Sequence, residues 1–393
     1  MDSLDIKFNK IDLASTKEIF AKWLILDETE IIDVVLATII ANRLPGDPIW
    51  LFMVAPPGGT KTEILRSLQT EEIFQVSTLS EHSLVSGFRQ KPGAPDPSLI
   101  PKLHNKVLVI KDFTAILSMR RESREEILGT LRDAYDGECV KTFGSIGVVK
   151  YVSKFGILAG VTPAVDKYFS IEQSLGERFL KIRLKTKSHE EMVSKSFDNI
   201  AFETSMRQEL SMAVTKLLHT IGIPDIAKIR YIEACSDKLK ALSRLLAILR
   251  SDVSRNPYTH TIDYMPEPEV GTRIIKQLSK LGIGLAAARN KETVDEEEYR
   301  LLLRIAFDTL PSKKRKIFDV ISQLRIDKSI EPYDNQFVDT QEISNYSDLP
   351  TDTCKSALED LRLLGIVDRS GSNRFTWRLT DTIQELIIKA GVT

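Results

Sequence analysis

Apolar residues along the first half of the chain form short unbroken runs separated by stretches with helical spacing. The runs Ile49 to Val54, Val107 to Ile110 and Phe155 to Val161 have the length and the β-branched content of buried parallel strands. Residues 15 to 43, ahead of the first run, repeat apolar residues at helical spacing. This alternation predicts an α/β core, a parallel sheet flanked by helices, over residues 1 to 186.

The second half of the chain has a different pattern. From residue 187 to 309 the strand-like runs disappear, and helical spacing dominates, for example in Ala234 to Leu249 and Thr272 to Arg289. From residue 310 to 393 three helical segments precede two short strands around Gly371, an order typical of a winged helix-turn-helix. We therefore expect three domains.

Composition narrows the class of protein. The chain has 393 residues, 42% of them hydrophobic and 28% charged, which is typical of a globular protein of several domains. A net charge of -1 gives no global sign of nucleic-acid binding. Cys139, Cys235 and Cys354 lie far apart, which predicts neither a zinc site nor a disulfide framework and favours the reducing cytoplasm. The sequence predicts no membrane-spanning segment and no secretory signal, hence a soluble protein without a membrane partner.

A phosphate-binding loop is predicted between the first strand and the next helix, at Ala55-Pro56-Pro57-Gly58-Gly59-Thr60-Lys61-Thr62. A Walker A loop needs backbone N–H groups around the phosphates, a lysine that reaches the β and γ phosphates, and a hydroxyl on Mg2+. Lys61 and Thr62 have the last two roles. The residues expected to bind the nucleotide are Pro57, Gly58, Gly59, Thr60, Lys61 and Thr62.

The loop departs from the pattern GxxxxGK[ST] at two positions. Ala55 and Thr60 stand where the pattern has glycines, so Gly58 and Gly59 would supply the backbone freedom instead. The sequence therefore predicts nucleotide binding and leaves efficient hydrolysis open. The alternative is an ordinary strand-to-helix connection with no ligand.

A second acidic site is predicted after the second apolar run. In a Walker B strand, carboxylates at the end of a buried strand hold Mg2+ and polarise water. Asp112 is the carboxylate here, and it either takes the place of the catalytic glutamate, with Lys111 at the metal-binding position, or binds the metal itself, with Phe113 at the catalytic position. In a third interpretation Asp112 merely caps the next helix.

Taken together, these elements resemble the AAA+ superfamily of P-loop ATPases, within the clade of minichromosome maintenance helicases and related phage or mobile-element ATPases. The resemblance covers about residues 30 to 307 and implies ATP, Mg2+, a helical lid and a homo-oligomeric ring. It implies a sensor role for Thr162 in Gly160-Val161-Thr162-Pro163, an arginine finger at Arg178 in Gly176-Glu177-Arg178-Phe179, and a lid sensor at Arg273. A strand-end hydroxyl and two surface arginines are the alternatives.

DNA contacts are expected in two places. Residues 139 to 144 and 147 to 152 can pair as a hairpin, and the related helicases carry a DNA-touching hairpin there, which implies Lys141 and Lys150. In the winged helix, a recognition helix enters the major groove and the wing follows the backbone. The candidate contacts there are Lys355, Arg362 and Arg374.

Both DNA contacts have alternatives. The hairpin would otherwise be a solvated edge hairpin. The recognition helix also carries Asp352, Glu359 and Asp360, which weaken groove binding, and winged helices also serve as protein-binding modules.

The motifs and the resemblance thus imply an AAA+ ATPase that couples ATP hydrolysis to DNA binding, unwinding or remodelling, with a role in the replication of a phage or mobile element. An alternative, favoured by the altered loop and the single acid, is a nucleotide-switched DNA-binding or scaffold protein with little turnover. A transcription regulator that uses the winged helix alone would leave residues 49 to 178 unexplained.

Overall fold

A computed structural model gives the fold of most of the chain. The residues it describes are 11–58, 60–87, 95–144, 147–169, 177–186, 188–256, 259, 261–327, 337–372 and 374–392.

The described residues form two compact units, each of which draws on separated parts of the sequence. The first unit takes in the described parts of Met1–Val165, Arg178–Ile232 and Ser279–Leu301. The second takes in those of Asp166–Glu177, Glu233–Leu278 and Leu302–Thr393. The boundaries 1–186, 187–309 and 310–393 stay a prediction.

The secondary structure follows the predicted alternation of strands and helices. The strands of the first unit are β1 (Trp50–Val54), β2 (Ile73–Val76), β3 (Val107–Ile110), β4 (Glu138–Phe143), β5 (Gly147–Val152), β6 (Gly156–Val161), β7 (Phe179–Arg183), β8 (Arg230–Tyr231) and β9 (Thr293–Val294). The helices of the described chain begin with α1 (Leu13–Trp23), α2 (Glu30–Asn42), α3 (Lys61–Ser67), α4 (Glu81–Leu84), α5 (Thr114–Leu117), α6 (Arg121–Asp136), α7 (His189–Asp198) and α8 (Glu203–Ile221). They continue with α9 (Glu233–Arg250), α10 (Thr272–Ala288), α11 (Glu296–Thr309), α12 (Ser312–Asp327), α13 (Thr340–Ser347), α14 (Thr351–Leu363) and α15 (Asp381–Ala390).

A five-stranded parallel sheet forms the centre of the first unit, which confirms the α/β core. Its strand order is β2-β3-β6-β1-β7, and each neighbouring pair is parallel. All residues of β1, β3 and β6 are buried, as expected of strands covered on both faces. Because β6 lies between β3 and β1, the carboxyl ends of these three strands meet side by side at one edge of the sheet.

Helices pack closely against this sheet. Helices α2 and α3 contact β6, and α8 packs against α1, α2 and α3. Residues Ile31 to Ala41 of α2 are all buried, so this helix lies inside the unit. On the sheet, the Phe52 and Phe179 rings stack with centroids 3.8 Å apart, and Trp50 meets Tyr135 edge-on at 5.0 Å.

The prediction of helix throughout residues 15 to 43 is wrong in one respect, because two helices occupy this segment. Helix α1 ends at Trp23, and α2 begins at Glu30. Leu24 is extended, with a ψ of 140°, and the side chains of Asp27 and Glu28 bind Ser188 and Lys185 instead of continuing a helix. These long-range partners explain why local spacing did not reveal the break.

The predicted hairpin between the second and third apolar strands is confirmed. Strands β4 and β5 pair in antiparallel register, with Cys139 opposite Tyr151 and Val140 opposite Lys150. Cys139 is buried and β4 packs on α6, whereas Val140, Val148 and Val152 are exposed.

The second unit combines helices with a small antiparallel sheet. Helices α9 and α15 pack together, and α12, α13 and α14 contact one another. Strands β10 (Val338–Asp339), β11 (Val367–Ser370) and β12 (Thr376–Leu379) are ordered β10-β12-β11, around the fully buried Trp377. The two predicted strands around Gly371 are confirmed, and β10 is an addition to them.

Across the described part of the chain, no helix combines the length and the apolar character needed to cross a lipid bilayer.

The close approach of α10 to α2 yields a stability prediction. A Cβ atom on Gly284 would lie 2.4 Å from the carbonyl oxygen of Ala37, so Gly284→Ala should destabilise the fold by roughly 1–3 kcal/mol through overpacking. Gly129→Ala on α6 is the matched control, since its Cβ meets nothing within 4 Å, and it should stabilise by about 0.5–1 kcal/mol. Urea unfolding measures both, and equal behaviour of the two variants would contradict the packing.

Candidate functional site

The predicted phosphate-binding loop connects β1 to α3 at the carboxyl edge of the sheet. Gly58 has a φ of +77°, in the left-handed region that favours glycine, and a Cβ there would meet no atom within 4 Å. Gly58 thus supplies the backbone freedom expected of it. Pro57 and Gly58 are exposed and Thr60 is half-buried, while Gly59 lies outside the described residues.

Lys61, the first residue of α3, directs its ammonium group toward the end of β6. Its Nζ donates a hydrogen bond of 3.1 Å to the carbonyl oxygen of Val161, and the residue is 7% exposed. Burial lowers the pKa of Lys61, and the negative charge of Asp112 opposes that shift. The lysine therefore lies at the strand edge, within the electrostatic reach of the predicted acid.

Gly160 creates the space that this lysine occupies. A Cβ at position 160 would lie 2.6 Å from the carbonyl oxygen of Lys111 and 2.9 Å from Cδ of Lys61. A side chain at position 160 would collide with the aliphatic part of Lys61. Gly160 belongs to the predicted sensor segment, but its contact with Lys61 has no local sequence signal.

Asp112 and Thr162 are connected through Thr114. The Oδ1 atom of Asp112 accepts a 2.9 Å hydrogen bond from the backbone N–H of Thr114. The Thr114 hydroxyl oxygen accepts a 2.9 Å hydrogen bond from the backbone N–H of Thr162 and lies 3.4 Å from the Thr162 hydroxyl oxygen. The N-cap of α5 is Phe113, and Asp112 precedes it and binds the first backbone N–H of the helix through a turn. The exposed carboxylate of Asp112 also lies at the carboxyl edge of the sheet.

Thr114 is a site residue that sequence analysis missed. Its signal is local, because an aspartate two residues before a threonine favours a turn in which the carboxylate accepts the later backbone N–H. This turn fixes the connection after β3 and holds the backbone of Thr162 beside it. The two Walker B interpretations stay open, since Lys111 directly follows β3 and Asp112 is the next residue.

The edge brings together complementary chemical groups. One cation, Lys61, stands with the carboxylate of Asp112 and the hydroxyls of Thr162 and Thr114, and the half-buried Thr62 follows Lys61 on α3. An ammonium group complements phosphate oxygens, and carboxylate and hydroxyl oxygens are the ligands that Mg2+ prefers. The residues present therefore fit a magnesium-bound phosphate ester.

Arg178, the predicted arginine finger, is tied to its own chain. Its Nη2 donates a 2.8 Å hydrogen bond to Oδ2 of Asp136, and its guanidinium carbon lies 5.1 Å from the centroid of the Tyr135 ring. The Arg178 side chain is 7% exposed, whereas that of Asp136 is 60% exposed. A role across a subunit boundary would require Arg178 to leave this ion pair, and that role stays a prediction.

Arg273, the predicted lid sensor, is the second residue of α10 and belongs to a cluster of charges within the second unit. Its Nη1 donates 3.3 Å to the carbonyl oxygen of Glu177 and lies 3.8 Å from the carboxylate of Glu269. The same Glu269 binds the buried Arg250 at 2.7 Å, and Arg250 lies 3.7 Å from the Glu177 carboxylate. This network fixes the residue that precedes Arg178, and the sensor role of Arg273 stays a prediction.

The predicted DNA-contacting cations of the hairpin form intrachain ion pairs. Lys141 lies 3.0 Å from the carboxylate of Glu126, and Lys150 lies 2.8 Å from that of Glu138. Lys141 is on the face that packs toward α6, and Lys150 is on the exposed face. Of these two lysines, Lys150 is better placed to meet a partner.

The predicted cations of the second unit are also engaged. Arg362 donates 2.9 Å to the carboxylate of Glu359, and the exposed Arg374 is paired with Asp339. The ammonium of Lys355 lies 5.4 Å from the centroid of the Phe375 ring. DNA binding through the arginines would require exchange of these partners.

Comparison with known proteins leaves the family open. No family model matches the chain, and no curated protein matches it. The functional assignment therefore rests on the geometry of the strand edge and on the resemblance of its motifs.

The connection through Thr114 yields a prediction for the site. Thr114→Val removes the oxygen that accepts the N–H of Thr162, and an unsatisfied N–H of this kind costs about 1 kcal/mol or more in unfolding free energy. Thr114→Ser keeps the hydroxyl and should lose less than half of that amount. Chemical denaturation compares the two, and equal losses would contradict a stabilising role of the hydrogen bond from the Thr162 N–H.

Proposed function

We propose that this protein is an ATP-binding P-loop ATPase of the AAA+ type that acts on DNA. The observation that carries the proposal is that the Lys61 ammonium reaches the end of β6, where Thr162 follows that strand and Asp112 lies just beyond the neighbouring strand β3. In open α/β sheets, ligands bind at the carboxyl ends of the strands. Thr162, the threonine to which the resemblance gives the sensor role, directly follows β6, and β6 lies between β1 and β3 in the sheet.

Each residue has a distinct part in the proposed reaction. The Lys61 ammonium would bind the β and γ phosphates, and Thr62 and Asp112 would hold Mg2+, which neutralises charge on the phosphates. Thr162 would orient the γ phosphate or the attacking water by its hydroxyl. Hydrogen bonding through Thr114 fixes the Thr162 backbone before any ligand arrives.

Two observations favour a second function, a nucleotide-switched DNA-binding or scaffold protein with little turnover. Arg178 is buried in an ion pair with Asp136, and Asp112 is partly used by the Thr114 turn. Fast phosphoryl transfer needs free groups that stabilise charge in the transition state. Binding without turnover is the expected behaviour if these contacts persist when nucleotide is bound.

ATP binding and steady-state hydrolysis, with and without duplex DNA, test the proposal. Lys61→Ala removes a charged hydrogen bond to phosphate worth roughly 1.5–3 kcal/mol, so ATP affinity should fall about 10- to 100-fold. Asp112→Asn should retain ATP binding and lose most turnover. ATP hydrolysis that DNA stimulates and that both variants lose would support the proposed ATPase. Tight ATP binding without hydrolysis would support the nucleotide-switched protein.

The absence of ATP binding in the parent protein would contradict both functions. Glu385→Gln is a matched control for a lost side-chain charge, since Glu385 pairs with the exposed Lys389 on α15, and it should leave ATP affinity unchanged.

Substitutions of Arg178 and of its partner Asp136 distinguish a transition-state role of Arg178 from a structural one. If Arg178 acts as a finger, Arg178→Ala should keep ATP binding and lower turnover roughly a thousandfold. Asp136→Asn removes its present partner and should leave turnover within about twofold, because a pair with an exposed carboxylate contributes on the order of 1 kcal/mol or less. Equal losses of turnover in both variants would show that the Arg178–Asp136 pair is structural.

A further inference from the structure

Five side chains form a continuous cluster where α14 meets strand β11 and Phe375, the residue before β12. We call it the helix–wing cluster, and its members are Lys355, Glu359, Arg362, Arg369 and Phe375. The Phe375 ring lies under two cations, with the Arg369 guanidinium carbon 4.4 Å and the Lys355 ammonium 5.4 Å from its centroid. The cluster gathers three cations around one ring and one carboxylate.

Glu359 uses both of its carboxylate oxygens on arginines. Its Oε2 accepts a 2.9 Å hydrogen bond from Nε of Arg362, and its Oε1 forms an ion pair with Arg369. Burial alone would raise the pKa of Glu359, but the hydrogen bonds from Arg362 and Arg369 outweigh it and hold the pKa below its ordinary value. The carboxylate is therefore ionised at neutral pH and neutralises part of the charge of both arginines.

These ion pairs can exchange without unfolding the unit. The side chains of Arg362 and Arg369 are 41% and 33% exposed, and exposed pairs contribute on the order of 0–1 kcal/mol to stability. A phosphodiester oxygen is an acceptor of the same kind as a carboxylate oxygen for a guanidinium group. Stacking on Phe375 holds Arg369 in place while its acceptor changes.

We propose that Glu359 is a built-in competitor for DNA phosphates, which occupies Arg362 and Arg369 in the free protein and limits the affinity of the helix–wing cluster. The inference rests on the proposed DNA binding of the C-terminal unit and adds the residue that sets its strength. Glu359 acts on two cations at once, whereas Asp339 pairs with Arg374 outside the cluster. Removal of the Glu359 charge should therefore affect phosphate binding more than removal of the Asp339 charge.

The test measures the affinity of the full-length protein for a labelled random-sequence DNA duplex over about 50 to 200 mM salt. Glu359→Gln should raise affinity about tenfold at the low-salt end. The plot of log affinity against log salt should become steeper by about 0.9 for each phosphate newly bound. Thermal unfolding of the variant should match that of the parent.

Two further variants make the result specific. Glu385→Gln removes the same charge from α15, outside the cluster, and should change affinity less than twofold. Adding Arg369→Gln to Glu359→Gln should remove about half of the gain in log affinity, because one of the two released guanidinium groups is then absent.

The outcomes separate this inference from the proposed function. If the parent binds the duplex and Glu359→Gln binds it equally well or more weakly, the proposed role of Glu359 is wrong. The proposed DNA binding is then still supported. An equal gain in Glu385→Gln also overturns the role of Glu359, since net charge alone would then explain the effect. Absence of duplex binding in the parent and in Glu359→Gln contradicts both the DNA partner and the inference.

Discussion

The hydrogen bond between the Lys61 ammonium and the Val161 carbonyl oxygen determines the arrangement of the candidate site. A buried charge is costly unless it is paired, and an ammonium group has three N–H donors to satisfy. The end of β6 supplies one acceptor at 3.1 Å, and Asp112 supplies a negative charge nearby. Gly160 is small enough for the lysine to reach this position, and the central place of β6 brings Thr162 between the lysine and the acid.

Most of the cations with a proposed function pair with carboxylates of the same chain, as Lys141, Lys150 and Arg178 do. The pairs differ in burial, and this decides which of them can change partner. Arg250 is fully buried with Glu177, and breaking such a pair is strongly destabilising, so it acts as a fixed support. The exposed pairs of Lys150 and Arg362 contribute little to stability and can be exchanged for phosphate oxygens.

Much of the fold could be predicted because buried strands need unbroken apolar runs. The runs that became β1, β3 and β6 are of this kind. Strand β2 lies at the sheet edge and is half-buried, so its sequence is not an unbroken apolar run. Its polar residue Gln75 donates hydrogen bonds to the carbonyl oxygens of Leu65 and Leu68 at the end of α3. Strand β10 has two residues and depends on pairing with β12.

The candidate site was predictable only where its signal is local. The loop residues and Asp112 carry such signals, because turn-forming residues and strand-end acids are recognisable from neighbouring sequence. Asp136, the partner of Arg178, and Arg369, one of the two partners of Glu359, lie 42 and 10 residues away in sequence, and three-dimensional packing brings these pairs together. Local patterns therefore identify groups that can act, whereas the fold decides which of them are already engaged.

A crystal structure of the protein with Mg2+ and a non-hydrolysable ATP analogue tests the central claim most directly. The account predicts the triphosphate at the carboxyl edge of β1, β6 and β3, with the Lys61 ammonium transferred from the Val161 carbonyl oxygen to a phosphate oxygen. An edge that stays empty at saturating nucleotide, with Lys61 still bound to Val161, would contradict it.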